Sequence, residues 1–531
     1  MNSLPLFARR LGAAFVFGLA ALLAGCAAPG GPPCAAGPDM ACTSEGAVRG
    51  VVENGTLAFK GIPYAAAPVG PLRWRPPQAP QPWQGVRDAT RFGAVCPQLD
   101  GQQAIGEEDC LTVNVWVPQP RPARALPVMV FLPGGGNHAF SGQGAPVFGG
   151  VGYNGEQLVP RGVVFVSFNN RLGALGFLAH PALGAERAER VSGNYGSLDQ
   201  IALLRWVQRN IGSFGGDARK VTLFGTSAGG GSICALMTAP AARGLFHAAA
   251  MESGVPTGCE LQTLQEAQDG SGQRVAQALG CTGADAAACL RGKSTADVVK
   301  ALPGGFGLFS RLYGPNMDGM VFPEQPIAAI GAGRHSHMPA IVGNSTDETM
   351  LWATSAGPVN DAEGLDAALA KLFGAQAVPR IRAMYPLADF PTPRDAMVRI
   401  STDAFFTCQS ARVARALAQH QREPVYRYLF AHTLQNDAEL RGQRAVHTIE
   451  HVFFFPWQGS YKPMADDLAV QRLMVGQWSS FARTGAAEAP WRPVGADDSY
   501  LLIAPEAAMR AGAAHAKCEF WNSVRLPSPH L

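Results

Sequence analysis

Residues 221–231 are the most constraining stretch of this 531-residue chain. Val221, Thr222, Leu223 and Phe224 form a short buried-strand pattern, followed at once by Gly225-Thr226-Ser227-Ala228-Gly229 and two further glycines. The order reads as strand, sharp turn, small-residue helix. Glycines on both sides of Ser227 permit a turn tight enough to thrust its hydroxyl out of the sheet. The Ala228 amide then falls at a helix N-terminus, where it can face developing negative charge. A serine presented in this way is a candidate nucleophile.

The surrounding chain repeats the alternation. Val128-Met129-Val130-Phe131-Leu132 is a continuous apolar run, and residues 163–167 and 340–343 read in the same way. Such runs suit strands covered on both faces. Between two of them, residues 199–208 carry apolar positions at helical spacing, with Asp199 expected near the helix start, where the dipole favours an acid. Alternating strands and helices predict an α/β fold, a mostly parallel sheet with helices on both faces and its site at the strands' carboxyl ends. With 47% apolar and 16% charged residues the chain is no disordered tail, and 43 basic against 40 acidic residues give no footprint for nucleic acid.

The N-terminus reads as an address. Arg9 and Arg10 precede an apolar run at residues 11–23, too short for the ~20 residues of a membrane-spanning helix. The run ends in Leu23-Ala24-Gly25-Cys26, which resembles a bacterial lipoprotein cleavage box and implies a lipid anchor on Cys26. Ala27 after the cysteine fits outer-membrane retention; the alternative is an ordinary periplasmic or secreted protein. The expected organisation is a signal peptide at 1–25, an Ala/Gly/Pro-rich tether at 26–43 and one catalytic domain at 44–531. Export makes the ten cysteines besides Cys26 possible disulfide partners, which spacing alone cannot pair.

Several further motifs stand in order along the chain. They include Glu108-Asp109-Cys110-Leu111-Thr112-Val113-Asn114-Val115, Asn170-Arg171-Leu172-Gly173, Gly193-Asn194-Tyr195-Gly196 and Phe214-Gly215-Gly216-Asp217. Near the end comes Cys518-Glu519-Phe520-Trp521-Asn522. With the serine segment, this set resembles the type-B carboxylesterases, the cholinesterase-like branch of the α/β-hydrolases, over nearly the whole mature chain. The resemblance implies a catalytic triad of Ser227 as nucleophile, Glu348 as acid and His447 as general base. These lie in the order Ser, acid, His. Asp347, beside Glu348, is expected to fix the loop or face solvent. The oxyanion donors implied are the amides of Gly135, Gly136 and Ala228. The bridges implied are Cys96–Cys110, Cys281–Cys289 and Cys408–Cys518. Cys234 is expected to be a buried free thiol, and Cys34, Cys42 and Cys259 stay unplaced.

The function implied is hydrolysis of a small-molecule carboxylic ester through an acyl-enzyme, with no metal and no organic cofactor. Two other readings compete. A non-catalytic cholinesterase-like binding protein would keep the fold but lose the serine, which is present. His447-Thr448-Ile449-Glu450-His451 also fits the His-x-x-Glu-His pattern of zinc peptidases, but the aromatic run into Pro456 is a poor continuation of a ligand helix. His451 is then expected in the pocket wall or the structural core. Pro133 and Asn137 flank the glycines where the family usually has His or Tyr before and an aromatic after. Thr226 replaces the frequent Glu before the nucleophile. The loop at 97–109, where relatives carry a choline-facing tryptophan, holds no aromatic residue. Uncharged alkyl or aryl esters are therefore the expected substrates.

Overall fold

The computed structural model describes residues 37–531 except 255–258, 309–311, 458–459, 513–514, 525 and 527–531. The expected signal peptide, Cys26 as the expected lipid site, Cys34 and most of the expected tether lie outside the described residues. All the described residues belong to one compact unit, Ala36–Leu531. Part of the stretch expected to be tether is structured, since Met40–Cys42 pairs antiparallel with Ala47–Arg49.

One eleven-stranded sheet carries the molecule. Along the chain its strands are β1 (Val51–Glu53), β2 (Thr56–Pro63), β3 (Thr112–Pro118), β4 (Leu126–Leu132), β5 (Val164–Phe168) and β6 (Gly216–Thr226). They continue with β7 (Ala248–Glu252), β8 (Ala340–Ser345), β9 (Val425–Phe430), β10 (Tyr500–Ile503) and β11 (Ala508–Arg510). In space the order is β11-β10-β9-β8-β7-β6-β4-β5-β3-β2-β1. Every pairing from β5 through β4, β6, β7, β8 and β9 to β10 is parallel, and antiparallel strands flank this block. The sheet is an α/β-hydrolase sheet, as expected.

Both faces are buried, and strand periodicity decides which side chain goes where. In β4, Val128 and Val130 join the core that holds Trp206, Ile233 and Leu417, whereas Met129 and Phe131 join the one that holds Phe454, Trp478 and Phe481. The first core lies against α1 (Tyr195–Asn210), α2 (Ala228–Thr238) and α3 (Cys408–His420), the second against α4 (Ala465–Thr484). This two-sided burial explains why the sequence shows continuous apolar runs rather than alternation.

Asp199 departs from the expectation. It is the fifth residue of α1, not at its start, and is fully buried. Arg171 grips it through Nε at 2.8 Å and Nη2 at 2.7 Å. The acid thus answers a buried guanidinium rather than the helix dipole, and fastens α1 to the loop after β5.

Cys42 is disulfide-bonded, and the bridges joining two described residues are Cys96–Cys110, Cys281–Cys289, Cys408–Cys518 and also Cys234–Cys259. The last corrects the reading of Cys234 as a free thiol and places Cys259. The chain returning from β7 brings the two Cα atoms to 5.5 Å across 25 residues, a proximity that sequence spacing does not reveal.

Candidate active site

The order of strands sets the place. β4 has β5 on one side and β6 on the other, so the chain reverses its winding there. Loops leaving the two sides diverge and open a crevice at the carboxyl ends. Gly134, Gly135 and Gly136 follow β4, Ser227 follows β6, Glu348 follows β8 and His447 follows β9.

Ser227 has φ 56° and ψ −124°, backbone that a residue with a side chain rarely adopts. Its amide donates to the Glu252 carbonyl at 2.9 Å, and its carbonyl accepts from Gly231 at 2.9 Å, holding the turn. A Cβ on Gly229 would lie 1.9 Å from the Leu132 carbonyl oxygen, and one on Gly225 would lie 2.5 Å from it. Only glycine lets the strand-to-helix corner press against the end of β4.

The triad expected from the sequence comes together in space. His447 Nε2 is 2.8 Å from Ser227 Oγ, and its Nδ1 is 2.5 Å from Glu348 Oε2. With Nδ1–H donating a hydrogen bond to the carboxylate, Nε2 is left to accept the serine proton. Glu348 is fully buried, and its Oε1 accepts from the Ser345 amide at 2.6 Å. The His447 amide donates to the Glu348 carbonyl at 3.2 Å, so the acid and base loops are tied by backbone too. Trp352 and Phe406 flank the imidazole, with centroids at 4.9 and 5.3 Å. Asp347 points elsewhere, toward Arg444 at 3.5 Å.

Behind the triad lies a buried acidic layer that the sequence reading did not assemble. Glu450 accepts from Ser253 Oγ at 2.5 Å, Ser345 Oγ at 3.1 Å and the Tyr428 hydroxyl at 3.4 Å. Burial, and next the negative charge of Glu348, push its pKa up to about 7. Glu252 accepts from Trp478 Nε1 at 2.7 Å, and burial followed by the charge of Glu450 holds it well above the carboxylate range. Both causes favour the protonated form of Glu252. The signal for this layer was the polar residues that close the apolar strands β7 and β8: Glu252, Ser253, Asn344 and Ser345.

In front of the triad is a cavity of about 340 Å³. Gly134, Gly135, Gly136 and Ala228 line it beside Ser227, with Phe140, Phe148, Phe306, Trp352, Phe405 and Phe406 around them. Gly135 and Gly136 have φ of +93° and +59°, and a Cβ on Gly135 would lie 2.1 Å from the Ala139 carbonyl oxygen. This backbone can therefore approach a substrate as only glycine allows. Gln98, inside the first disulfide loop, clamps the segment by accepting from the Phe140 amide at 2.7 Å and donating to its carbonyl at 3.0 Å.

The zinc pattern does not converge. His447 serves Ser227 and Glu348, Glu450 serves the layer behind, and the His451 ring packs 5.9 Å from Tyr153 and 6.1 Å from Phe148. Residues 449–454 form a short 3-10 turn, not the α-helix that sets two ligands on one face. No group of three metal-binding side chains occurs among the described residues.

A serine–histidine–carboxylate chain at the carboxyl ends of a switch-point sheet defines a hydrolase of the α/β-hydrolase fold. The chain belongs to the carboxylesterase family, whose model matches residues 38–521. It is 35% identical over 462 residues to the para-nitrobenzyl esterase of Bacillus subtilis (strain 168), covering 83% of this chain and 89% of that one. It is 38% identical over 410 residues to the fumonisin B1 esterase of Sphingopyxis macrogoltabida, covering 73% and 70%. A solved structure of PNB esterase superposes with a TM-score of 0.78 at 31% identity, covering 91% of this chain and all (100%) of that one. The protein is a carboxylic ester hydrolase of the serine type.

Proposed function

We propose that Ser227 is the nucleophile, His447 the general base and Glu348 the orienting acid in hydrolysis of uncharged alkyl or aryl esters. The observation that carries this reading is the continuous chain from Ser227 Oγ through both imidazole nitrogens to Glu348, at 2.8 and 2.5 Å, opening on a mainly apolar cavity. Ser227 Oγ attacks the ester carbonyl as its proton passes to His447 Nε2. Glu348 stabilises the imidazolium without taking its proton. The amides of Gly135, Gly136 and Ala228 receive the tetrahedral oxyanion. The alcohol leaves with the proton from His447, and water then repeats the sequence on the acyl-enzyme. A fluorophosphonate should label Ser227, and a chelator should leave turnover unchanged. Labelling elsewhere, with Ser227 unmodified, would overturn the assignment.

The same reading extends to location. The Arg9-Arg10 start, the short apolar run and Cys26 in its lipoprotein-like context support an exported protein held on the outer membrane by lipid on Cys26. No helix among the described residues is long and apolar enough to cross a membrane. The protein should partition into detergent, and Cys26→Ser should move it to the soluble fraction. Equal partitioning of both forms would exclude the anchor.

A further inference from the structure

A second cavity, of about 240 Å³, lies beside the one that holds Ser227, and Phe306 is the one described residue that lines both. Its ring stacks on Phe140, which lines the catalytic cavity, with centroids 5.8 Å apart and planes at 24°. It also lies 4.8 Å from the ring of His138, which lines the second cavity. An ideal Cβ on Gly136, in the proposed oxyanion cradle, would lie 3.9 Å from Phe306 Cε1. The phenyl ring therefore stands close to where the ester carbonyl reacts, between two open spaces. Core packing does not demand a ring there, since Phe306 is 56% exposed and has Gly305 and Gly307 as neighbours.

The second cavity selects by what its wall offers. Leu99, Leu172, Val299 and Leu302 supply apolar surface, and the lining includes no Asp, Glu, Lys or Arg. Its polar side chains are engaged elsewhere. Gln98 holds the backbone of Cys96 and Phe140. The Tyr313 hydroxyl donates to the Leu302 carbonyl at 2.7 Å, and His138 Nδ1–H donates to the Gly136 carbonyl at 3.0 Å. Burial lowers the pKa of His138, which favours its neutral ring. An ionised group would lose its hydration there and meet no opposite charge. An aryl ring fits, since an apolar cavity of roughly 150 Å³ already suffices for benzene.

We infer that Phe306 is the specificity-determining residue that closes this second cavity to substrate, and that the cavity is a latent subsite for an uncharged aryl end of a longer ester. This deepens the esterase reading and rests on it. The wild type favours esters that fit within the catalytic cavity. Loss of the ring joins the two spaces into one that takes the longer arm.

The test compares esters that differ only in a terminal ring. On the acyl side, para-nitrophenyl pentanoate is paired with para-nitrophenyl 5-phenylpentanoate. On the alcohol side, butyl acetate is paired with 4-phenylbutyl acetate. In Phe306→Ala the ratio of kcat/KM, aryl-ended over plain, should rise about tenfold over the wild type in one pair or both. That rise alone could come from a larger catalytic cavity, so a plug in the second cavity decides. Val299→Trp, on the helix Thr295–Ala301, and Leu99→Trp, in the hairpin of the first disulfide loop, fill that space from two different elements. Either plug, added to Phe306→Ala, should return the ratio to its wild-type value; two plugs guard against one that fails to fold. No rise in Phe306→Ala, or a rise that survives every folded plug, overturns the subsite. Failure of the esterase reading is distinguishable, because then no ester of either pair turns over in any variant and a fluorophosphonate leaves Ser227 unlabelled.

Discussion

The two sides of the triad are built on different principles. The front is a cavity whose wall comes from loops: Phe140 and Phe148 after β4, Phe306 in a long excursion, Trp352 beyond the acid loop. The back is a closed layer set by strand ends, where Glu252, Ser253, Ser345, Tyr428 and Glu450 are each no more than 1% exposed. A change in front alters which ester fits, because it touches substrate and little else. A change behind alters how charge is handled in the transition state, because it reaches the substrate only through Glu348 and His447. The difference separates specificity from chemistry in one site.

The largest effect belongs to the residue shared by both sides. Ser227→Ala should lower turnover by on the order of 10⁴-fold or more, leaving residual catalysis by the oxyanion amides. Assays on a neutral para-nitrophenyl ester would measure it, and near wild-type rates would remove the basis for distinguishing the sides at all. Next comes the backbone cradle. In Gly135→Ala the added Cβ would collide with the Ala139 carbonyl, 2.1 Å from its ideal position, at a φ of +93°. Turnover should fall about 10²-fold or more while Ser227 stays reactive to a fluorophosphonate, as expected when an oxyanion donor is displaced. A rise in KM alone, with kcat intact, would contradict that role.

The back is probed by pH. Glu450 is neutral below about 7 and ionised above it. In Glu450→Gln, kcat should drop about tenfold above pH 7, where a carboxylate no longer supports the imidazolium formed with Glu348, and change little below pH 6. Glu252→Gln should show a smaller pH-dependent loss, since burial favours the protonated form of Glu252. Stability should move in the opposite sense. The folded pKa of Glu450 is raised above its ordinary 4.5, so its contribution is complete below that value and is lost as pH rises through about 7. Thermal melts should accordingly shift in favour of Glu450→Gln between pH 5 and pH 8. A uniform drop in kcat across pH would mean that Glu450 acts by shape alone.

Legibility in the sequence followed the same division. β4, β6 and β8 were readable because two-sided burial writes an unbroken apolar run, and the Ser227 corner because glycines flank a serine between a strand pattern and a helix pattern. Glu348 and His447 came only through resemblance; over a hundred residues separate Ser227 from Glu348, and no local pattern marks either partner. The acidic layer behind was not assembled, since Glu252 and Glu450 meet only after β7 and the loop following β9 are folded. Cys234–Cys259 was missed for the same reason, and Asp199 was misread because its partner Arg171 is remote in sequence. Gln98, which holds Phe140 from inside a loop without aromatics, gave no sign of its role.

The smallest effect concerns the front and cationic esters. In choline-hydrolysing relatives of this fold, an aromatic residue in the first disulfide loop faces the quaternary ammonium, an attraction of electrostatic origin. Here that loop forms a hairpin, Gln98–Asp100 with Gln103–Ile105. Pro97, Gln98, Leu99 and Gly101 line a separate cavity of about 240 Å³ rather than the one that holds Ser227. The acid Glu108 is taken up by Arg73 and Thr295, so it is not free to attract a cation. Thr226 supplies no carboxylate beside the nucleophile. The aromatic faces that do line the cavity offer a cation roughly 0.5–1 kcal/mol where solvent reaches them. That is little against the hydration an ammonium surrenders on entry. A neutral butyrate ester should therefore exceed butyrylcholine in kcat/KM by severalfold, up to about tenfold, when the leaving-group pKa values are matched. The preference should persist at high salt, because it comes from desolvation rather than from screened surface charge. A clear advantage for the choline ester would mean that another part of the front wall supplies a cation site, and that loops outside the first disulfide decide charge selectivity.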